Sequence, residues 1–67
     1  MMTAKEIEEY MEFLRTAEVG DWAENGRRVV EVVDMVGGRF LGYDGRDVAL
    51  LTNSEFRAVD FLKGGDI

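Results

Sequence analysis

The chain has 67 residues, 14 of them acidic and 8 basic, with no histidine, cysteine or proline, for a formal net charge of −6. That length makes one domain spanning 1–67 and is too short to enclose a substrate cleft. The missing side chains exclude disulfides, thiolate or imidazole metal sites, and Ser-His or Cys-His nucleophile couples.

The net charge is unevenly spread. Residues 1–26 carry two basic against seven acidic side chains, and residues 27–67 six against seven. A domain of this size buries only about 60% of its chain surface. With no disulfide or metal to staple it, stability must come from efficient local structure or from a partner subunit.

Thr3-Ala4-Lys5-Glu6 fits a capping box, with Met2 and Ile7 placed for a hydrophobic staple across it. Ile7, Tyr10, Met11, Leu14 and Ala17 then recur at helical spacing, with Phe13 at their margin. This predicts a helix over about 3–17 with Lys5, Glu8, Glu9, Glu12, Arg15 and Thr16 on its outer face. Lys5–Glu9 and Glu12–Arg15 are placed to pair, whereas Glu8 and Glu12 repel. Gly20 marks a change of direction.

Val19–Glu24 reads as a short first strand, and Asn25-Gly26 as a two-residue type I′ hairpin turn. From Arg27 to about Met35, Val29, Val30, Val32 and Val33 make a β-branched run suited to a central strand. Gly37-Gly38 turns the chain into a strand over 39–43, in which Gly42 signals a bulge or a close backbone approach. Asp44-Gly45 turns it again, into 46–52. Residues 53–63 admit two readings. Thr52-x-x-Glu55 could cap a helix with Phe56, Val59 and Leu62 on one side; a turn over 53–56 followed by a strand over 57–62 is favoured. Residues 64–67 read as a loose tail. The expected core comprises Ile7, Leu14, Val30, Val32, Phe40, Leu50 and Val59.

The fold class is therefore α+β: an N-terminal helix packed on a small, strongly curved antiparallel sheet of four or five strands. The segment Val19-Gly20-Asp21-Trp22, the NG hairpin, the long strand, two further hairpins and the closing Asn53-Ser54-Glu55-Phe56 turn resemble an SH3-like barrel over about 18–63. That fold hosts peptide binding, nucleic-acid binding and scaffolding, so the resemblance selects no function. The clustered aromatics of a proline-peptide groove are missing.

No catalytic residue is expected: Ser54 stands without a base and reads as an N-cap or turn serine. Asp44-Gly45-Arg46-Asp47 lacks the spacing of a calcium loop and reads as a hairpin tip. Gly37-Gly38-x-x-x-Gly42 lacks the Lys-Ser/Thr pair of a phosphate loop. No cofactor or metal is expected. Arg27, Arg28, Arg39 and Arg46 could cluster at hairpin tips, but Arg27 and Arg28 either solvated or paired with Asp44, Asp47 or Glu31 are favoured over direct nucleic-acid binding. No stretch approaches a membrane span and no secretory leader is recognised, so a cytoplasmic protein is expected.

What remains is the acidic surface. Its plainest reading is a solvated face; as an interface, Glu8, Glu9, Glu12, Glu18 and Asp21, with Trp22 and Tyr43, are the candidate partner-binding residues, and a protein with a basic surface is the expected partner. In size, acidity and lack of catalytic side chains the chain resembles small phage accessory proteins, anti-CRISPR proteins among them. That resemblance implies an inhibitor that occupies a nucleic-acid-binding surface. The alternative is a structural module that assembles as a homodimer or larger oligomer.

Overall fold

The computed structural model describes residues 3–64. The Met2 staple and residues 65–67 of the expected tail lie outside them. The elements are α1 (Ala4–Thr16), β1 (Trp22–Asn25), β2 (Arg28–Met35), β3 (Gly38–Asp44), β4 (Asp47–Thr52) and α2 (Glu55–Leu62). The four strands form one antiparallel meander in the order β1-β2-β3-β4, with both helices packed against one face.

α1 begins as its sequence dictates. The Thr3 hydroxyl accepts from the Glu6 amide at 3.2 Å, and the Glu6 carboxylate accepts from the Thr3 amide at 2.9 Å. Two of the orphan donors at the helix start are thereby satisfied. Leu14 is fully buried, while Ile7, Tyr10, Met11 and Ala17 are half-buried against the core. After α1, the Asp21 amide donates to the Glu18 carbonyl at 2.9 Å, with Gly20 at φ +101°. Glycine at the third position of such a turn supplies the positive φ that a type II turn requires.

The hairpin turns differ by one residue from the sequence expectation. Asn25 pairs with Arg28 and Asp44 with Asp47, so the two-residue loops are Gly26-Arg27 and Gly45-Arg46. Both glycines have φ +66°, and among the described residues no other residue type has positive φ. A positive then a negative φ is the type II′ pattern, not the type I′ expected from Asn25-Gly26. The first strand accordingly runs from Trp22 to Asn25 rather than over 19–24.

Alternation along the strands assigns the faces. Ala23, Val30, Val32, Phe40 and Thr52 are buried beneath the helices. Val29, Glu31, Leu41 and Tyr43, which register with one another across β2 and β3, lie on the opposite face and are half-buried. Val48 and Leu51 extend that face along β4, Val48 at 63% exposure. Gly42 fulfils its strand expectation twice. The β3–β4 register shifts between Gly42 and Tyr43, and a Cβ built on Gly42 would stand 3.0 Å from the Phe61 ring.

Residues 53–63 are the main correction. They hold no strand: Glu55–Leu62 is helical, capped by Ser54, whose hydroxyl accepts from the Arg57 amide at 3.2 Å. Ser54, not Thr52, is the cap; the Thr52 hydroxyl instead accepts from the Ser54 amide at 3.0 Å. Ala58, Val59, Phe61 and Leu62 are buried, and Phe56 is 74% exposed. A strand would place Ala58 and Val59, or Phe61 and Leu62, on opposite faces, one of them in water. A helix turns both pairs toward the sheet and α1. With a helix where a closing strand was expected, β1 and β4 remain edges, and the sheet is open rather than an SH3-like barrel over 18–63. Among the core expectations Leu14, Val30, Val32, Phe40 and Val59 are buried, whereas Ile7 and Leu50 are half-buried at its border.

Candidate functional site

α1 lies beside the β1 edge and is fastened there by one polar contact. The Tyr10 hydroxyl donates to the Glu24 carbonyl at 2.7 Å. Carbonyls and amides on the outer side of an edge strand invite pairing with another chain. Tyr10 occupies one of them, so the helix partly closes this edge.

Between α1 and β1 runs a groove of about 350 Å³ lined by Glu6, Glu9, Tyr10, Phe13, Trp22 and Ala23. Glu6, Glu9, Tyr10 and Phe13 form a stripe of α1 at i, i+3, i+4 and i+7, next to the stripe that carries Leu14. Three aromatic rings line the walls and two carboxylates sit at the rim. Glu6 is committed to the capping box. Among the described residues Glu9 has no ion pair or hydrogen-bond partner; in particular the Lys5–Glu9 pair expected from sequence is not formed. Trp22, at 60% exposure, is the chain's only tryptophan.

The structure joins Glu9 and Trp22 in this groove, keeps Glu8 and Glu12 beside Glu9 on the outer side of α1, and places Glu18, Asp21 and Tyr43 apart from them. Glu8 and Glu12 are exposed on the outer side of α1, where Glu12 meets Arg15 at 3.4 Å. Arg15 also reaches Glu55 of α2 at 3.7 Å. Glu18 is exposed in the turn after α1, and the Asp21 carboxylate is engaged by the Glu18 amide at 3.0 Å. Asp21 therefore serves the turn first. Tyr43 lies on the helix-free face of the sheet, away from the acidic stripe.

The basic side chains are largely engaged within the molecule. Arg27 and Arg28 both reach Asp44, at 3.1 and 3.8 Å, as the sequence reading favoured. Arg28 also donates to the Phe61 carbonyl at 2.9 Å and lies over the Phe61 ring. Arg39 does not join them: its guanidinium donates to the Ala17 carbonyl at 3.3 Å and stacks on Phe40. Lys63 pairs with Asp60 at 3.5 Å. The Arg27 side chain lies against Gly45, in the turn that carries Arg46, so Arg27, Arg28 and Arg46 share one end of the sheet while Arg39 stands apart.

Among the described residues no three carboxylates gather at a metal-sized site, and no helix is long and apolar enough to cross a membrane. Sequence reading separated Glu9 from Trp22 by 13 positions and did not place Tyr10 and Phe13 at the site. The α1 stripe of Glu6, Glu9, Tyr10 and Phe13 was the available signal. No protein-family model matches the chain, and comparison with curated proteins and with solved structures gives no match.

Proposed function

We propose that this is a non-enzymatic, acidic binding protein that regulates or inhibits a protein partner by occupying its basic, nucleic-acid-binding surface, as phage anti-defence proteins of the anti-CRISPR type do. The observation that carries this reading is the uncompensated charge on α1. α1 sets Glu6, Glu8, Glu9 and Glu12 against Lys5 and Arg15; Arg15 is shared between Glu12 and Glu55, and Glu8 and Glu9 are exposed with no ion pair among the described residues. Uncompensated like charge on a small domain costs stability and steers an oppositely charged partner.

The test is affinity capture of the partner followed by association rates at two salt concentrations, for the wild type and for the triple variant Glu8→Gln, Glu9→Gln, Glu12→Gln. These side chains contribute nothing to the core, so the variant is expected to keep or slightly raise its melting midpoint as Glu8–Glu12 repulsion is relieved. Its association is expected to slow, with a shallower salt dependence. Wild-type association at low salt would remove the acidic face from the interface.

A second reading, a homodimeric assembly module, is favoured by one observation. The helix-free sheet face presents Tyr43, Leu41, Val48 and Leu51, and β4 is an unpaired edge. Sedimentation equilibrium distinguishes the two. A dimer dispersed by Val48→Lys supports assembly; a monomer at all concentrations removes it.

A further inference from the structure

We infer that the groove between α1 and β1 is the seat of one arginine side chain, presented by a basic segment of the partner protein. The inference rests on the proposed function and gives that surface a specific point of attachment.

Three features fix the chemistry of the occupant. The walls are aromatic: Tyr10, Phe13 and the largely exposed Trp22. Aromatic faces attract cations through their quadrupole, tryptophan most strongly, and the planar guanidinium stacks on them better than an ammonium does. The rim is acidic, and Glu9 has no competing partner among the described residues. A carboxylate beside an apolar wall suits a side chain whose stem is aliphatic and whose head is a cationic fork. Thirdly, Tyr10 already holds the outward carbonyl of Glu24 at 2.7 Å. A strand adding to the β1 edge would have to displace it, so the groove reads a side chain rather than a backbone.

The molecule itself shows that such contacts are compatible with its surface chemistry. Arg28 lies 4.8 Å from the Phe61 ring centre while paired with Asp44, and Arg39 lies 5.2 Å from that of Phe40. The groove offers the same combination of ring and acid with the guanidinium place left to a partner.

Because Trp22 is the only tryptophan, its fluorescence reports on the groove directly. The probe is a short peptide with one central arginine flanked by glycine and lysine, titrated beside versions carrying lysine or citrulline at the centre. The arginine peptide is expected to change Trp22 emission saturably. Lysine is expected to bind several-fold more weakly and citrulline more than tenfold more weakly. By calorimetry, Glu9→Gln and Trp22→Leu should each weaken the arginine peptide at least fivefold. Glu12→Gln, outside the groove, should change it less than twofold, with far-UV circular dichroism confirming the fold of each variant.

Equal affinity for arginine and citrulline, or binding indifferent to both Glu9→Gln and Trp22→Leu, overturns the inference. If the captured partner still loses association rate in the Glu8, Glu9, Glu12 triple variant, the proposed function survives and the contact lies on the outer side of α1. If the partner is indifferent to the triple variant as well, both fall.

Discussion

Replacing Gly42 by alanine tests how closely α2 lies on the sheet. Gly42 sits on β3 opposite Val30 and Leu50, and its φ is not positive, so alanine meets no backbone penalty there. The cost is steric. The new Cβ would stand 3.0 Å from the Leu50 Cβ and 3.0 and 3.1 Å from two carbons of the Phe61 ring. Phe61 is 3% exposed, and its carbonyl and ring are both held by Arg28, so the ring has little room to yield. Overpacking of this kind costs about 1–3 kcal/mol, from which the lower entropy of the unfolded alanine chain removes about 0.4–1 kcal/mol. The net expectation is a loss of roughly 1–2 kcal/mol, and about 4–8 °C in melting midpoint per kcal/mol for a domain of this size. Urea unfolding followed by far-UV circular dichroism measures it. In a double-mutant cycle with Phe61→Leu, the alanine should cost less than about half as much, because the opposing ring is gone. A Gly42→Ala protein as stable as the wild type, or a cost unchanged by Phe61→Leu, would refute the packing argument.

Gly26→Val should lose more than about 1 kcal/mol for a different reason: φ is +66° there with open space around the Cβ, so backbone strain alone acts, and an unchanged urea midpoint would count against the type II′ turn. Leu14→Ala empties a fully buried position between α1 and the rest of the core and should cost about 2–5 kcal/mol by the same assay; a loss below about 0.5 kcal/mol would mean that α1 is not docked. Ser54→Ala removes the acceptor of the Arg57 amide and should cost about 1 kcal/mol, with amide hydrogen exchange accelerating first in residues 55–58.

The parts of the fold that were legible are those whose causes are local. The capping box and the stripe from Ile7 to Leu14 determine α1 within 13 residues, and glycine at each turn separates β1 to β4. The register of the turns was less legible, because Asn25-Gly26 and Gly26-Arg27 are both acceptable two-residue loops. Arg28 pairing back to Asn25 selects the second. α2 was misread because its eight residues carry apolar side chains at 56, 58, 59, 61 and 62, a set that fits either period imperfectly. Tertiary packing decides: Ala58, Val59, Phe61 and Leu62 are all buried, and Phe56, which the helical alternative set on one side with Val59 and Leu62, is exposed. The groove was illegible for the same reason. Glu9 and Trp22 meet because a type II turn at Gly20 folds β1 back beside α1 and the Tyr10–Glu24 bond holds it there. Gly20 and the α1 stripe mark the turn and one wall in local sequence, but the pairing of Tyr10 with Glu24, 14 positions on, leaves no such mark.

The end of α2 is clipped to the first hairpin. The Asn25 side-chain amide donates to the Leu62 carbonyl at 2.7 Å, and Arg28 to that of Phe61, across 37 and 33 positions of chain. α2 also supplies four of the nine buried apolar residues of the core. During synthesis, then, the hairpins emerge before the helix that must cover them. A sheet whose apolar face is only partly covered leaves hydrophobic surface and strand edges open to association. Until α2 arrives, only α1 covers that face, and the places of Ala58, Val59, Phe61 and Leu62 over the sheet are empty, a state that proteases and other nascent chains can engage. The clip joins early and late segments of the chain, so loss of the Asn25 and Arg28 contacts should free the last turn of α2 before the rest of the fold.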